Sequence, residues 1–265
     1  MSVPGLVLLP LPTRLAPKSL TPDGFAPYGT TIVPPLPCNL IHGPPPLSSL
    51  SPHTPAPVLA NQSSALKYSP ISPLDNYYPD RSPSGEPSSP RLSLFACFPR
   101  DLRRQAVEGP ESTATTALFD VRILERHPYT TQTFIPFNTT CQEQQRQAVD
   151  DGLYLVIVAP SRKGETATAS VPNDATGEST TVTIIDPPDL NKAEAFVARN
   201  GQAVTYAAGT WHAPMVVMGQ RRVDFMVVQF ANGVGDEDCQ EIAFGEGIEV
   251  EAKDGSEGAA NYKER

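Results

Sequence analysis

Residues 201–218 read GQAVTYAAGTWHAPMVVM. Two apolar runs flank Ala207-Ala208-Gly209-Thr210, so the stretch reads as strand, tight turn, strand. Just past the turn stand Trp211, the only tryptophan, and His212, one of four histidines. A packing motif needs the indole but not the imidazole; a site can use both. Other periodic segments are strand-like too. RLSLFACF (91–98) alternates up to Pro99. TALFDVRILERH (116–127) alternates with Val121, Ile123, Glu125 and His127 on one face, and Arg122, Leu124 and Arg126 on the other. After an HPYT turn, TQTFIPF resumes with Gln132, Phe134 and Pro136 on one face. LYLVIVAP (153–160) is a continuous apolar run, the signature of a strand buried on both sides. TVTIID (181–186) and VDFMVVQF (223–230) add further strands, and PDLNKAEAFVARNG supplies an Asp cap and one helical turn before Phe196. Short strands with few helices predict an all-β barrel or sandwich.

The rest of the chain is organised by proline. Of 30 prolines, 21 lie in the first 90 residues, so the core is expected mainly beyond residue 90. LTPDGFAPYGTTIV (20–33) reads as a capped turn leading into a strand, anchored by Phe25 and Tyr28. Residues 34–57 and 68–90 read as proline-rich surface insertions, with His42 and His53 solvated in the first. Between them VLANQSSALKY (58–68) is less proline-bound, and it brings Asn61, Gln62 and Lys67 close together in sequence. Residues 161–181 read as a Gly/Ser/Thr/Ala loop, and the charged segment after residue 245 as a frayed tail. One domain over 1–265 is the expected organisation.

A net charge of −9, with no basic run longer than RR, argues against nucleic acid. Cys38, Cys97, Cys141 and Cys239 stand far apart without metal-pair spacing. The N-terminus lacks a basic region and its apolar run is broken by proline, so no secretion signal is expected. No stretch approaches ~20 apolar residues. The expectation is a cytoplasmic protein acting on a small molecule, with no membrane partner.

Glu125 and His127 end an otherwise apolar face just before a turn, Gln132 re-enters on the return strand, and His212 holds the same relation to its own turn. In a barrel that order puts ionisable groups at the mouth above a packed floor, with Pro214, Val216 and Met218 below His212. On periodicity alone, Glu125 and His127 could equally be an exposed hairpin end and His212 a core histidine. Spacing adds weight. Gly201, five residues, Ala207-Ala208-Gly209, two residues and His212 resemble the second cupin motif, G-x5-P-x-G-x2-H, with Ala207 in place of proline. Glu125-Arg126-His127, four residues and Gln132 resemble a degenerate first motif, H-x-H-x(3,4)-E. A cupin-like β-barrel is therefore expected, its usual metal set altered.

LERHPYTTQTFIPF, YLVIVA, PDLNKAEAFVARNGQAVTYAAGTWHAP and DFMVVQF together resemble the ureidoglycolate lyase family, most closely its fungal branch. FAPYG, NQSSALKY and LFACFP extend the resemblance. It implies cleavage of (S)-ureidoglycolate to glyoxylate and urea in allantoin degradation, by a homodimer. Such an elimination needs a base for the hydroxyl proton and an acid for the departing urea nitrogen. It also needs a cation for the carboxylate and amide-reading groups for the urea. Glu125 or His127 can be the base, and His212 can donate to the nitrogen or orient the substrate. Lys67 is the choice for the carboxylate, with Arg100, Arg122 and Arg126 in reserve; Asn61, Gln62 and Gln132 suit the ureido group. Trp211 is expected to pack or cap, and Cys97 and Cys141 to be idle thiols. The resemblance also implies a divalent metal, nickel, in some members; here His127, Gln132 and His212 would hold it, although the chemistry does not demand one. Related sequences can carry a basic residue where Ala96 stands. The alternatives are a hydrolase releasing ammonia from the same substrate and a non-catalytic cupin binding a small carboxylate.

Overall fold

The computed structural model of the chain describes residues 5–6, 14–37, 40, 43–106, 115–137, 152–172 and 178–252. Strands β1 (Gly5–Leu6) and β2 (Lys18–Ser19) precede a single helical turn, α1 (Pro22–Phe25). Thr21 caps that turn, its hydroxyl accepting from the Gly24 amide at 3.2 Å, and proline occupies the first helical position. Phe25 and Tyr28 are buried as expected, and β3 (Gly29–Ile32) follows. Gly29 cannot be replaced freely: φ is +152°, and a Cβ would lie 1.9 Å from the Thr205 carbonyl oxygen. The 58–68 island is a hairpin, β4 (Val58–Ala60) and β5 (Ala65–Lys67), forming its own two-stranded sheet.

The segment 68–90 holds a helical turn, α2 (Tyr78–Arg81), that buries Tyr78 completely. It leads into β6 (Ser89–Cys97), β7 (Arg103–Ala106), β8 (Thr115–Arg126), β9 (Gln132–Pro136) and β10 (Tyr154–Ala159). The described part of 161–181, expected as loop, is instead largely strand: β11 (Thr166–Pro172) pairs antiparallel with β12 (Ser179–Ile185), from Thr166 opposite Ile185 to Pro172 opposite Ser179. Composition misled there, because threonine and valine favour a pleated surface whatever their polarity. The expected turn before Phe196 is a 3₁₀ turn at Leu190–Lys192, and Phe196 itself lies in β13 (Glu194–Ala198). Then come β14 (Ala203–Tyr206), β15 (Trp211–His212), β16 (Val216–Val217) and β17 (Val223–Ala231). Last are α3 (Gly235–Asp238) and β18 (Gln240–Ala252).

Two further readings need correction. The tail expected to fray after residue 245 is strand to Ala252, because Ile248, Val250 and Ala252 pair with Val121, Phe119 and Ala117 of β8. His53 is not freely solvated: its ring meets Tyr68 at 4.8 Å between centroids. The described parts of 34–57 otherwise contain one 3₁₀ turn, Leu47–Ser49. His42, Cys38 and Cys141 lie outside the described residues.

The fold is all-β and cupin-like. One sheet runs β12-β11-β1-β18-β8-β15-β10-β13-β2, with β16 added on β10 and β7 on β8; the other runs β3-β14-β9-β17-β6. The run 154–159 is buried throughout, as expected, and its alternation divides the interior in two. Tyr154, Val156 and Val158 meet Phe134, Val204, Tyr206, Phe225 and Val227 in the core between the sheets. Leu155, Ile157 and Ala159 face an outer core with Leu124, Trp211, Ile242 and Val250, which Ala169 of the β11–β12 hairpin also joins. The expected faces of β8 hold only in part. Register shifts between Ala243 and Ile248 of β18, and beyond that irregularity Leu124, not Ile123, joins Val121 in the outer core. Among the described residues no helix is long and apolar enough to cross a membrane.

Candidate active site

Trp211 and His212 answer to different cores, because consecutive strand residues point to opposite faces. Trp211 is fully buried in the outer core, its Nε1 donating to the Asp186 carbonyl at 3.0 Å and the Arg126 guanidinium lying 4.7 Å over its ring. His212 turns inward. It stands opposite Glu125 across the β15–β8 ladder, and residues so paired present their side chains on one face. His212 Nε2 lies 3.4 Å from Glu125 Oε1, and the rings of His127 and His212 are 5.6 Å apart between centroids. One ligand atom each from Glu125, His127 and His212 lies within 4.8 Å of the others. Two backbone devices hold this geometry. Gly209, at φ +80° in the turn, donates its amide to the His127 carbonyl at 2.8 Å, tying the two turns together. Ala207, where the cupin motif has proline, donates its amide to the Tyr28 carbonyl at 2.9 Å, a bond that proline could not make.

The hydrogen bonds fix the imidazoles' tautomers. His127 Nδ1 lies 2.6 Å from the Asp238 carbonyl oxygen and His212 Nδ1 lies 3.0 Å from that of Thr210. A carbonyl only accepts, so each Nδ1 carries a proton and each Nε2 is directed elsewhere. Among the described residues, both Nε2 atoms and Gln132 Oε1 are buried without a hydrogen-bond partner. Buried polar atoms are rarely left so outside functional sites. Burial, reinforced by the charge of His212, pushes His127 down to about 4 against the pull of the Asp238 carbonyl and Glu125; it is neutral at physiological pH. Burial opposes ionisation of Glu125, but the adjacent His212, then His127 and the Cys239 thiol, hold its carboxyl below the usual range. At 3.4 Å the His212 contact is proximity rather than a formed hydrogen bond. Cys239 Sγ lies 3.9 Å from Glu125 Oε2, and burial with the neighbouring carboxylates pushes this thiol up to about 12, leaving it a protonated donor.

The inward row continues across the second sheet. The Tyr206 ring stacks on His212 at 3.9 Å and 12°, Gln132 stands opposite Tyr206, and Gln132 Nε2 donates to Gln229 Oε1 at 2.6 Å. Sequence reasoning missed Tyr206 and Gln229. Gln229 left one trace, a lone amide in the apolar run VDFMVVQF. Pro214 is exposed rather than beneath His212, because it interrupts the ladder between β15 and β16, and Val216 joins the outer core.

Four expected residues, Glu125, His127, His212 and Gln132, thus come together. Asn61, Gln62 and Lys67 do not join them. They are exposed on the β4–β5 hairpin, Asn61 and Gln62 at positive φ in its turn, and they make no hydrogen bond or ion pair to the cluster. The reserve cations are engaged elsewhere. Arg126 donates to Gln240 and to the Ile185 and Asp186 carbonyls, Arg122 donates to the Gly245 carbonyl at 2.8 Å, and Arg100 lies 5.2 Å over Phe119. Ala96 stands opposite Asp224, whose carboxylate accepts from Arg222 Nη2 at 2.9 Å.

The sequence profile of the ureidoglycolate lyase family matches residues 12–251. Among curated proteins the chain is 30% identical over 234 residues to the ureidoglycolate lyase of Schizosaccharomyces pombe, covering 88% of this chain and 93% of the relative. It is 30% identical over 239 residues to that of Saccharomyces cerevisiae, covering 87% and 94%. A bacterial relative, the ureidoglycolate lyase of Burkholderia mallei, is 32% identical over 113 residues, 43% of this chain and 45% of its own. With a match across nearly its whole length, the chain belongs to the ureidoglycolate lyase family.

Proposed function

We propose that the protein is a lyase cleaving (S)-ureidoglycolate to glyoxylate and urea, with Glu125, His127 and His212 as its catalytic groups. The observation that carries this is the pair of unpartnered imidazole Nε2 atoms converging with one carboxylate beside an amide pair. In the reaction the substrate's hydroxyl loses its proton, the carbon–nitrogen bond breaks as the aldehyde forms, and the departing nitrogen gains a proton. Glu125 is held ionised and takes the hydroxyl proton. His212 Nε2, 3.4 Å from that carboxylate, takes over the proton Glu125 has accepted and passes it to the urea nitrogen, so that both residues end as they began. His127, neutral with Nδ1 tied to Asp238, turns an accepting Nε2 to the substrate. Gln132 Oε1, fixed by the Gln229 bond, accepts from the ureido N–H groups. Residues 1–265 are read as one domain, working as a cytoplasmic homodimer in allantoin degradation.

The donor set also suits a divalent cation. Two imidazole Nε2 atoms with free lone pairs, a carboxylate and an amide oxygen are borderline-to-hard ligands of the kind nickel accepts. Glu125, His127 and His212 would hold it with Gln132 beside them, and when bound it would polarise the substrate's hydroxyl and carboxylate oxygens.

The deciding experiment assays urea and ammonia separately from racemic ureidoglycolate, before and after exhaustive chelation. Urea as the nitrogen product supports the lyase, and Glu125→Gln should then lower kcat by about 10²–10⁴-fold with the fold intact. Ammonia as the product overturns it in favour of the hydrolase, and no turnover under any condition overturns it in favour of a binding role. Loss of urea on chelation, restored by nickel, would make His127 and His212 ligands.

A further inference from the structure

Among the described residues the cluster has no cation to hold the substrate's carboxylate, and the strand register supplies one. The paired residues of the second sheet form a row across four strands: Arg91 of β6 opposite Gln229 of β17, Gln132 of β9 opposite Tyr206 of β14. Thr133 faces Val228, so Gln132 and Gln229 are the next pair along that ladder, and their side chains are in fact bonded. Directly paired residues share a face, and strand alternation puts Arg91, Ser93, Phe95 and Cys97 on the face of Val223, Phe225, Val227 and Gln229. Phe95 agrees with this: although 47% exposed, its ring lies 5.8 Å from that of Phe134, which belongs to the core between the sheets. Cys97 packs on the same core. Arg91, itself exposed, is therefore the outermost member of a row that runs inward through both glutamines to Tyr206 and the ring stacked on it, His212.

Several competing cations are occupied, and Lys67 lies on the separate β4–β5 sheet. Lys18, Arg14 and Arg103 pair with Glu194 or Glu249, and Arg222 with Asp224. Arg126 is buried under Trp211. Among the described residues the Arg91 side chain has no hydrogen bond, ion pair or ring partner, although it is the one charged residue of a strand whose other members are apolar or small.

We infer that Arg91 is the carboxylate-binding residue of this site, gripping the substrate's anionic end at the open edge of the second sheet while Gln132 and Gln229 read the ureido end. A planar guanidinium can meet a carboxylate through two parallel N–H bonds, which would also fix the orientation of the reacting carbon. The inference rests on the lyase reading above, and its test is built to separate the two. Steady-state urea release is measured for wild type, Arg91→Gln and Arg91→Lys, and oxalate, a small carboxylate probe, is titrated calorimetrically into each. The expected result for Arg91→Gln is a rise of about 10- to 100-fold in both KM and oxalate Kd, the scale of a lost charged hydrogen bond. Melting temperature should be unchanged and kcat within about threefold. Arg91→Lys should recover part of the binding, because it restores charge without the fork. Unchanged KM and oxalate Kd in Arg91→Gln would overturn the inference, as would a fall in kcat alone. Should the wild type release no urea, the lyase reading falls while the oxalate titrations still decide whether Arg91 holds carboxylates.

Discussion

At position 211 the indole builds the wall; at 212 the imidazole faces Glu125 and Tyr206. Trp211→Phe removes the donor to the Asp186 carbonyl but keeps most of the ring that Arg126 covers. The expected cost is about 1–3 kcal/mol of stability, the scale of an unmet buried acceptor, with kcat within a few-fold of wild type. His212→Asn should do the reverse, lowering kcat by about 10²-fold or more in a protein that still folds cooperatively. Thermal melts beside urea-release assays check both. A Trp211→Phe variant that melts normally yet turns over no substrate would put the indole in the site. The motif spacing made His212 legible as a candidate; the opposite orientation of its neighbour followed from strand alternation. Tyr206 was not legible, because a buried tyrosine in an apolar strand looks the same whether its ring faces a site or another core ring.

The elements show why one histidine depends on a distant part of the chain. His127 owes its tautomer to the Asp238 carbonyl at the end of α3, and α3 is clamped to the segment around α2. Tyr78 donates to Asp238 Oδ1 at 2.7 Å, and the Asn232 and Gly233 amides donate to the same carboxylate at 2.8 Å each. Glu237 accepts from the Ser84 amide at 2.8 Å, the Ser84 hydroxyl at 2.7 Å and Asn232 Nδ2 at 2.6 Å. Burial opposes ionisation of Glu237, but these bonds outweigh it and lower its pKa below 4.5. A depressed carboxyl contributes stability that is complete above its unfolded pKa and lost as pH falls through the folded value. Wild-type melting temperature should therefore decline as pH drops below about 4.5, and Glu237→Gln should start lower but decline less over that range. Parallel curves for the two proteins would show that Glu237 carries none of the acid sensitivity. Nothing in a proline- and serine-rich stretch announced this clamp. Its partners lie about 150 residues away, Ser84 and Glu237 being 153 apart, and composition reports nothing at that range.

At the scale of the whole molecule, local period was readable and closure was not. The runs 116–127, 153–160 and 223–230 declared themselves as strands by alternation or continuous apolarity. The acidic alternation after residue 245 resembled a solvated tail because every second residue does face outward. Its other face closes the outer core: Ile248, Val250 and Ala252 are at most 3% exposed and lie against Val121, Phe119 and Ala117. A chain ending at Gly245 would lose Ile248 and Val250, whose burial stabilises by roughly 1.5–3 kcal/mol each, or ~3–6 kcal/mol together. It would also expose the β8 side chains beneath them and leave a long unpaired edge. Against a typical net stability of about 5–15 kcal/mol, that loss, with the newly exposed β8 surface added, is a large share of what holds the fold. The expected outcome is an insoluble truncated protein, or a soluble one without a cooperative melt and without urea release, judged by size-exclusion chromatography and circular dichroism. If the truncated chain instead melts within a few degrees of the full one, β18 beyond the irregularity is an ornament on β8. The outer core would then be closed by the β11–β12 hairpin and the packing around Trp211 alone.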